Sequence, residues 1–183
     1  MGLVADSLAL LRQAAEVNDT AIVMLSGGKD SLAALSLSSQ VFKRVVCVHM
    51  YIVRGLSFIE DHVEQVVKMH GAELLYVPHP DLAVHLKRGA FMHRRHDSSE
   101  VHLVSHTQVT RAARARTGTY WCVDGVRADD SLNRRIFIKR FGAVDEKNRN
   151  IHPLAQWLER DVYAYLRVKK IPLPVRIGQG RMS

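Results

Sequence analysis

Short uninterrupted apolar runs alternate along the chain with longer stretches whose apolar residues recur every three or four positions. Val4–Val17 carries Leu8, Leu11 and Ala15 at helical spacing and ends at the turn pair Asn18-Asp19. Thr20–Leu25 is a continuous apolar run, the pattern of a strand buried on both faces. A Gly-Gly turn follows, then helical spacing over Leu32–Val41. Arg44–His49 reads as a second buried strand, and Phe58–His70 as a helix stopped by Gly71. Glu73–Val77 is a third strand closed by Pro78 and Pro80, Thr119–Val123 a fourth and Arg149–Leu154 a fifth. Glu159–Lys169 is a last helix, ended by Pro172 and Pro174. Asp81–Arg116 reads as one or two helices crossing the sheet edge. Strands alternating with helices in this way predict an α/β fold. The expected architecture is a doubly wound, mainly parallel five-stranded sheet with helices on both faces, in one domain over residues 1–183. Ligands in such folds sit at the carboxyl ends of the strands.

Composition narrows the class. Of 183 residues, 47% are hydrophobic and 24% charged, which excludes collagen-like, mucin-like or wholly disordered chains. No run approaches the roughly 18 apolar residues of a membrane span, so no membrane partner is expected. Met1–Leu11 contains Asp6 and lacks the basic flank of a secretory signal. Cys47 and Cys122 cannot supply a disulfide framework or a full set of metal thiolates. A cytoplasmic location is the expectation. The excess of 26 Lys and Arg over 18 Asp and Glu, a formal charge of +8, favours anionic partners.

The sharpest signal is Ser26-Gly27-Gly28-Lys29-Asp30-Ser31, placed between a predicted strand and a predicted helix. Paired glycines let the backbone turn tightly, and the free N–H groups of a helix N-terminus then face outward with the helix dipole behind them. Lys29 adds a point charge, and Ser26 and Ser31 add hydroxyls. The loop is a cradle for phosphate or sulfate. It is not the common nucleotide loop, which would need Gly at Val23 and Ser or Thr at Asp30. Asp124-Gly125-Val126-Arg127 lies just past the fourth strand, at the same edge, where Arg127 can fork onto phosphate or sulfate oxygens. Arg134 follows further on and is read as an anion contact, whereas Arg135 is read as a solvated helix charge paired with Asp129-Asp130.

Ser26–Ser31 resembles the pyrophosphate loop of the adenine-nucleotide alpha-hydrolase (PP-loop) superfamily. Gly125-Val-Arg127-Ala-Asp-Asp130-Ser131-Leu-Asn-Arg134 and Pro153-Leu154-Ala-Gln-Trp157-Leu-Glu-Arg-Asp161-Val162 resemble motifs of its phosphoadenosine phosphosulfate (PAPS) reductase-like family. The tail, Ile171-Pro-Leu-Pro with Gly178-Gln-Gly180, resembles the stretch that follows. The likeness runs from about Asp19 to the end and is weakest over Asp81–Arg116. It implies an adenine nucleotide as ligand, ATP or a PAPS- or PAP-like sulfonucleotide. Ser26, Gly27, Gly28, Lys29, Asp30, Ser31, Gly125, Arg127 and Arg134 would line the site, with Lys29 and Arg127 stabilising charge in the reaction. Met50, at the end of the second strand, is either an adenine-packing side chain or a core methionine. With ATP, Mg²⁺ is expected, with Asp30 a candidate ligand. Trp157, Pro153 and Leu154 read as packing elements and Asp161 as a helix cap.

The sequence departs from a reductase. Such enzymes attack sulfur with a cysteine on a C-terminal tail, and here no cysteine follows Cys122, which itself lies in an apolar run as Cys47 does. Sulfur reduction by this chain alone is therefore not expected, nor an iron–sulfur cluster, nor structural zinc. Phe58-Ile-Glu60-Asp61 only partly matches the family's Phe-Pro-Glu-Thr. Between His85 and Arg116 lie five histidines and seven Lys or Arg. His102 and His106 would share a helix face, but no adjoining Glu or Cys completes a metal set. The arginines would either rim a polyphosphate or nucleic-acid strand, or form a solvated basic helix. Three functions compete on these residues. One is displacement at the alpha phosphate of ATP or at an adenylyl-sulfate-type nucleotide. The second is adenylation of a nucleic acid held by the 85–116 segment. The third is a non-catalytic nucleotide-binding subunit, with a thiol-donor protein or a second copy of the chain as partner.

Overall fold

The computed structural model describes residues 2–90 and 100–174. Within these residues seven α-helices and six strands follow one another as α1 (Leu3–Val17), β1 (Thr20–Met24), α2 (Lys29–Ser38), β2 (Arg44–Tyr51), α3 (Ser57–Met69), β3 (Glu73–Pro78), α4 (Pro80–Lys87), α5 (His106–Thr117), β4 (Trp121–Val123), α6 (Leu132–Phe141), β5 (Val144–Asp145), β6 (Asn150–Ile151) and α7 (Glu159–Val168), with a 3-10 turn at Ala128–Asp130. The strands form one sheet in the order β3-β2-β1-β4-β6-β5. All neighbours are parallel except the closing β5–β6 hairpin. The sheet therefore has six strands, not five. A two-residue strand such as β5 carries no periodicity to read.

The order reverses beside β1, which sits between β2 and β4, and a doubly wound sheet opens its ligand crevice at such a point. The larger core lies on one face, where Leu11 of α1, Leu32 and Leu35 of α2, Val63 and Val66 of α3 and Leu166 of α7 pack on Ala21, Val23 and Val123. Trp121 and Trp157 are buried in the same cluster and each finds a partner for its indole N–H, Ala14 O at 2.9 Å and Ser7 Oγ at 2.9 Å. Burying an indole without such a partner would forfeit much of its hydrophobic gain. On the other face α5 lays Ala113 over Ile22, Val46, Val48 and Cys122. The described part of the 81–116 segment thus holds α4 and α5, of which α5 covers a sheet face rather than crossing an edge. A capping box sets its start: Ser105 Oγ accepts from Gln108 N–H at 3.2 Å, and Gln108 Oε1 accepts from Ser105 N–H at 2.8 Å. Because α5 begins at His106, exposed His102 lies outside the helix, and the two do not share its face. Among the described residues no helix is long and apolar enough to cross a membrane.

Phe91, His93, Arg94, Arg95 and His96 of the basic segment, and Gly178 and Gly180 of the tail, lie outside the described residues.

Candidate functional site

β1 hands the chain to the glycine loop at its carboxyl end, where Leu25 N–H is still bonded to Val48 O at 2.9 Å. Gly27 then turns the backbone at φ +82°, a conformation that side chains disfavour. Gly28 stands at the N-cap of α2 and has no side chain to cap it, and among the described residues no side chain accepts from the opening amides of the helix. Among the described residues these amides have neither an intrahelical acceptor nor a capping side-chain oxygen. Both serines shape the loop itself. Ser26 Oγ accepts from Gly28 N–H at 3.3 Å, and Ser31 Oγ lies 3.2 Å from Ser26 Oγ and donates to Gly28 O at 2.9 Å. Lys29 Nζ lies 3.0 Å from Asp30 Oδ2 and 3.3 Å from Glu159 Oε1. Partial burial alone would lower its pKa, but the two carboxylates outweigh that and raise it, so the ammonium is charged at neutral pH. His62 on α3 stands beside Gly27, its Nε2 has no hydrogen-bond partner among the described residues, and burial draws its pKa below the usual imidazole value.

The segment leaving β4 locks onto this loop. A Cβ on Gly125 would lie 2.7 Å from the carbonyl carbon of Asp30 and 2.9 Å from its Cβ and O. Glycine is therefore required there by contact with α2. Arg127, 4% exposed, carries the charge across the same junction. Its Nε is 3.0 Å from Asp30 Oδ1, and its Nη2 donates to Asp130 Oδ1 at 2.5 Å. Asp130 also accepts from Arg127 N–H at 3.2 Å and pairs with Arg134. Burial would raise the Asp130 pKa, but these donors and charges win and hold it below the ordinary carboxylate value. Arg127 Nη1 has no hydrogen-bond partner among the described residues. The structure thus brings Ser26–Ser31, Gly125, Arg127 and Arg134 together at one junction. Asp30 faces Lys29 and Arg127.

Beside this junction a cleft of about 800 Å³ runs between the sheet and α5. Met24 and Met50 line it, with Asp124, Phe137, Arg111 and Arg114 among the other walls. Met50 therefore faces a cavity. Arg114 is already used, donating to Asn148 O at 2.9 Å. Met24, Glu159 and the pair Asp124–His152 occupy no defining position of a motif in the sequence. His152 Nδ1 is 2.7 Å from Asp124 Oδ1 although the two are 28 residues apart. Each of the two follows the last residue of a short strand, Asp124 after Val123 and His152 after Ile151, and that was the signal available. Trp157 packs as expected, and Asp161 Oδ2 accepts from Leu158 N–H at 2.9 Å at the start of α7.

A family model described as the phosphoadenosine phosphosulfate reductase domain matches residues 20–179. The chain is 27% identical over 199 residues to sulfate adenylyltransferase subunit 2 of Rhodopseudomonas palustris, covering 93% of this chain but only 59% of that relative's length. Among solved structures it is similar in fold to the U34-tRNA thiolase NcsA from Methanococcus maripaludis with its [4Fe-4S] cluster (TM-score 0.61, 16% identity, 96% of this chain and 67% of that one). It is also similar to a phosphate complex of PAPS reductase from Candida auris (TM-score 0.59, 19% identity, 92% of this chain and 82% of that one). NcsA corrects the cofactor expectation of Mg²⁺ with no iron–sulfur cluster and no structural zinc. A protein of this fold carries a cluster, and cofactor ligands are side chains set on a fold rather than dictated by it. Among the described residues no group of three or more His, Cys, Asp or Glu could hold a metal ion. The two thiols, buried on β2 and β4 with β1 between them, do not fit a cluster.

Proposed function

Because the chain belongs to the phosphoadenosine phosphosulfate reductase domain family, we propose that it binds an adenine nucleotide at the carboxyl edge of β1 and β4 and acts on an adenylyl-sulfate-type nucleotide. The observation that carries this reading is the uncapped N-terminus of α2, with Lys29 beside it, at the point where the strand order reverses. Free amides and a helix dipole favour anionic oxygens there. The base lies between Met24 and Met50, and the phosphates extend toward Gly27–Ser31.

The proposed reaction is adenylyl transfer. An oxygen of a sulfate-type dianion attacks the alpha phosphorus of ATP, the bond from that phosphorus to the bridging oxygen breaks, and pyrophosphate leaves with the electron pair. No proton moves and nothing is oxidised. Lys29 and the α2 amides would hold the departing pyrophosphate, and Arg127 would steady the loop and meet developing charge. Such catalysis rests on positioning and charge stabilisation. The relative named as a sulfate adenylyltransferase subunit supports adenylyl transfer, and its being a subunit supports a partner chain in the full activity.

Reduction of sulfur finds less support. Burial pushes the Cys47 thiol up to about 12, and burial with the Asp124 charge pushes Cys122 up as well. A thiol that is not a thiolate near neutral pH is a poor nucleophile. The test runs the transfer backward: adenylyl sulfate and pyrophosphate are added, and ATP is read by luminescence, with PAPS and reduced thioredoxin in a parallel arm. Pyrophosphate-dependent ATP is expected. Sulfite from the second arm with no ATP in the first would replace this reading with a reductase.

A further inference from the structure

The sheet edge beneath the cleft, which Met24 and Asp124 line, changes character from strand to strand. Met24 pairs with Val48, while Val23, Val123 and Ile151 form one register across β1, β4 and β6. The next residues in that register are Met24, Asp124 and His152. One row therefore runs from Val48 and Met24 to a carboxylate and an imidazole. The apolar end suits a base, and the polar end lies one strand away, beside the glycine-loop junction.

Asp124 is held rather than free. Its Oδ1 accepts from Val126 N–H at 3.0 Å and from His152 Nδ1 at 2.7 Å. A carboxylate only accepts, so Nδ1 carries the proton in this contact. His152 is itself fixed: it is 3% exposed, its backbone N–H donates to Ala143 O at 2.8 Å, and its ring meets Phe137 edge-on at 5.6 Å. The Asp124 side chain is 27% exposed and lines the cleft, so a backbone amide and a buried imidazole occupy one oxygen while the group still presents an acceptor to the cavity. Basic side chains, Arg111, Arg114, Lys147 and Arg149, also line the cleft, but among the described residues none of them is paired with Asp124. Arg114 is bonded to the hairpin carbonyls, and Arg149 lies over the Tyr120 ring at 4.3 Å.

We propose that Asp124, positioned by His152, is a specificity-determining residue that accepts a ribose hydroxyl of the nucleotide and excludes a nucleotide bearing a phosphate on that ribose. This rests on the reading that an adenine nucleotide occupies the cleft. A fixed acceptor matches a hydroxyl donor, whereas a ribose phosphate would bring like charge against it.

Calorimetry on the full chain with 5′-AMP, its 2′-deoxy and 3′-deoxy forms, and adenosine 2′,5′- and 3′,5′-bisphosphates tests this. Unmodified protein should bind 5′-AMP at least tenfold more tightly than either bisphosphate, and at least one deoxy form should bind more weakly than 5′-AMP. Asp124→Asn should narrow the ratio by raising bisphosphate affinity. His152→Ala should narrow it partly, where a purely structural role would weaken every nucleotide alike. A bisphosphate bound as tightly as 5′-AMP by unmodified protein overturns the proposal without needing a variant, and so does an unchanged ratio in folded Asp124→Asn. If folded protein binds none of the five, the nucleotide reading itself falls and this one with it.

Discussion

Gly125→Ala is the substitution whose consequence follows most directly from the packing at the junction. The added methyl carbon would stand 2.7 Å from the Asp30 carbonyl carbon and 2.9 Å from its oxygen. Both are backbone atoms in the first turn of α2, so no side-chain rotation relieves the clash, and the β4 exit must move away from the helix. Overpacking of this kind costs about 1–3 kcal/mol, and rigid neighbours place it toward the upper end, about 2–3 kcal/mol. At roughly 2–4 °C per kcal/mol for a domain of this size, the melting temperature should fall by about 4–12 °C. Gly28→Ala is the control. Its nearest contact would be Ser26 Oγ at 3.5 Å, an ordinary distance, and its change should stay within about 1 kcal/mol. Calorimetric melting of both variants decides the matter, and nucleotide affinity should fall in Gly125→Ala because the α2 amides shift. A Gly125→Ala protein that melts like the unmodified chain would show that the junction is not packed as described.

Lys29→Ala should weaken adenine-nucleotide binding by about 10- to 100-fold, the loss of a charge-assisted hydrogen bond of about 1.5–3 kcal/mol, with melting little changed; equal affinity by calorimetry would remove Lys29 from the site. Arg127→Ala should lower stability by about 3 kcal/mol, the low end for breaking a buried pair because its carboxylate partners are partly exposed; denaturant melts with an unchanged midpoint would refute it. Asp130, whose pKa is lowered in the fold, contributes stability that is complete above its unfolded value and is lost as pH falls through the lower folded one. Unmodified protein should therefore outlast Asp130→Asn at pH 7, and the gap should close below about pH 4; a gap constant with pH would contradict this. Cys47 and Cys122 should resist iodoacetamide at pH 8 until the chain unfolds, and Cys47→Ser or Cys122→Ser should spare turnover while lowering stability; rapid alkylation of native protein would argue against their burial.

Local chemistry made part of this site legible in the sequence. Ser26–Ser31 announces itself because a Gly-Gly turn between a buried strand and a helix permits few geometries, and Gly125-Val-Arg127 falls where a strand must end. What depended on pairing between distant strands was not legible. Asp124 and His152 meet only because β4 and β6 are neighbours in register, and β6 pairs through just two residues. The run Arg149–Leu154 suggested a longer strand, but beyond Ile151 the chain turns away, with Ala155 N–H bonded to His152 O at 3.0 Å. The role of Arg127 was half visible. Its place at the ligand edge could be read from the motif, but its burial against Asp30 and Asp130 follows from the close packing that Gly125 allows.

The carboxylates around Lys29 bear on whether this loop can still take an anion. Asp30 and Glu159 both touch the ammonium, yet their side chains are 26% and 58% exposed. Ion pairs of that exposure are worth about 0–1 kcal/mol each, because water and salt compete for both partners. An arriving phosphate would be held by the same ammonium and by helix amides that no side chain caps, contacts stronger than those it displaces. Glu159 opens α7 and can turn to solvent without disturbing the core. Asp30 cannot leave so freely, since Arg127 lies across the junction from it. The acid that can yield is therefore Glu159, and Asp30 stays to orient Lys29 between loop and ligand.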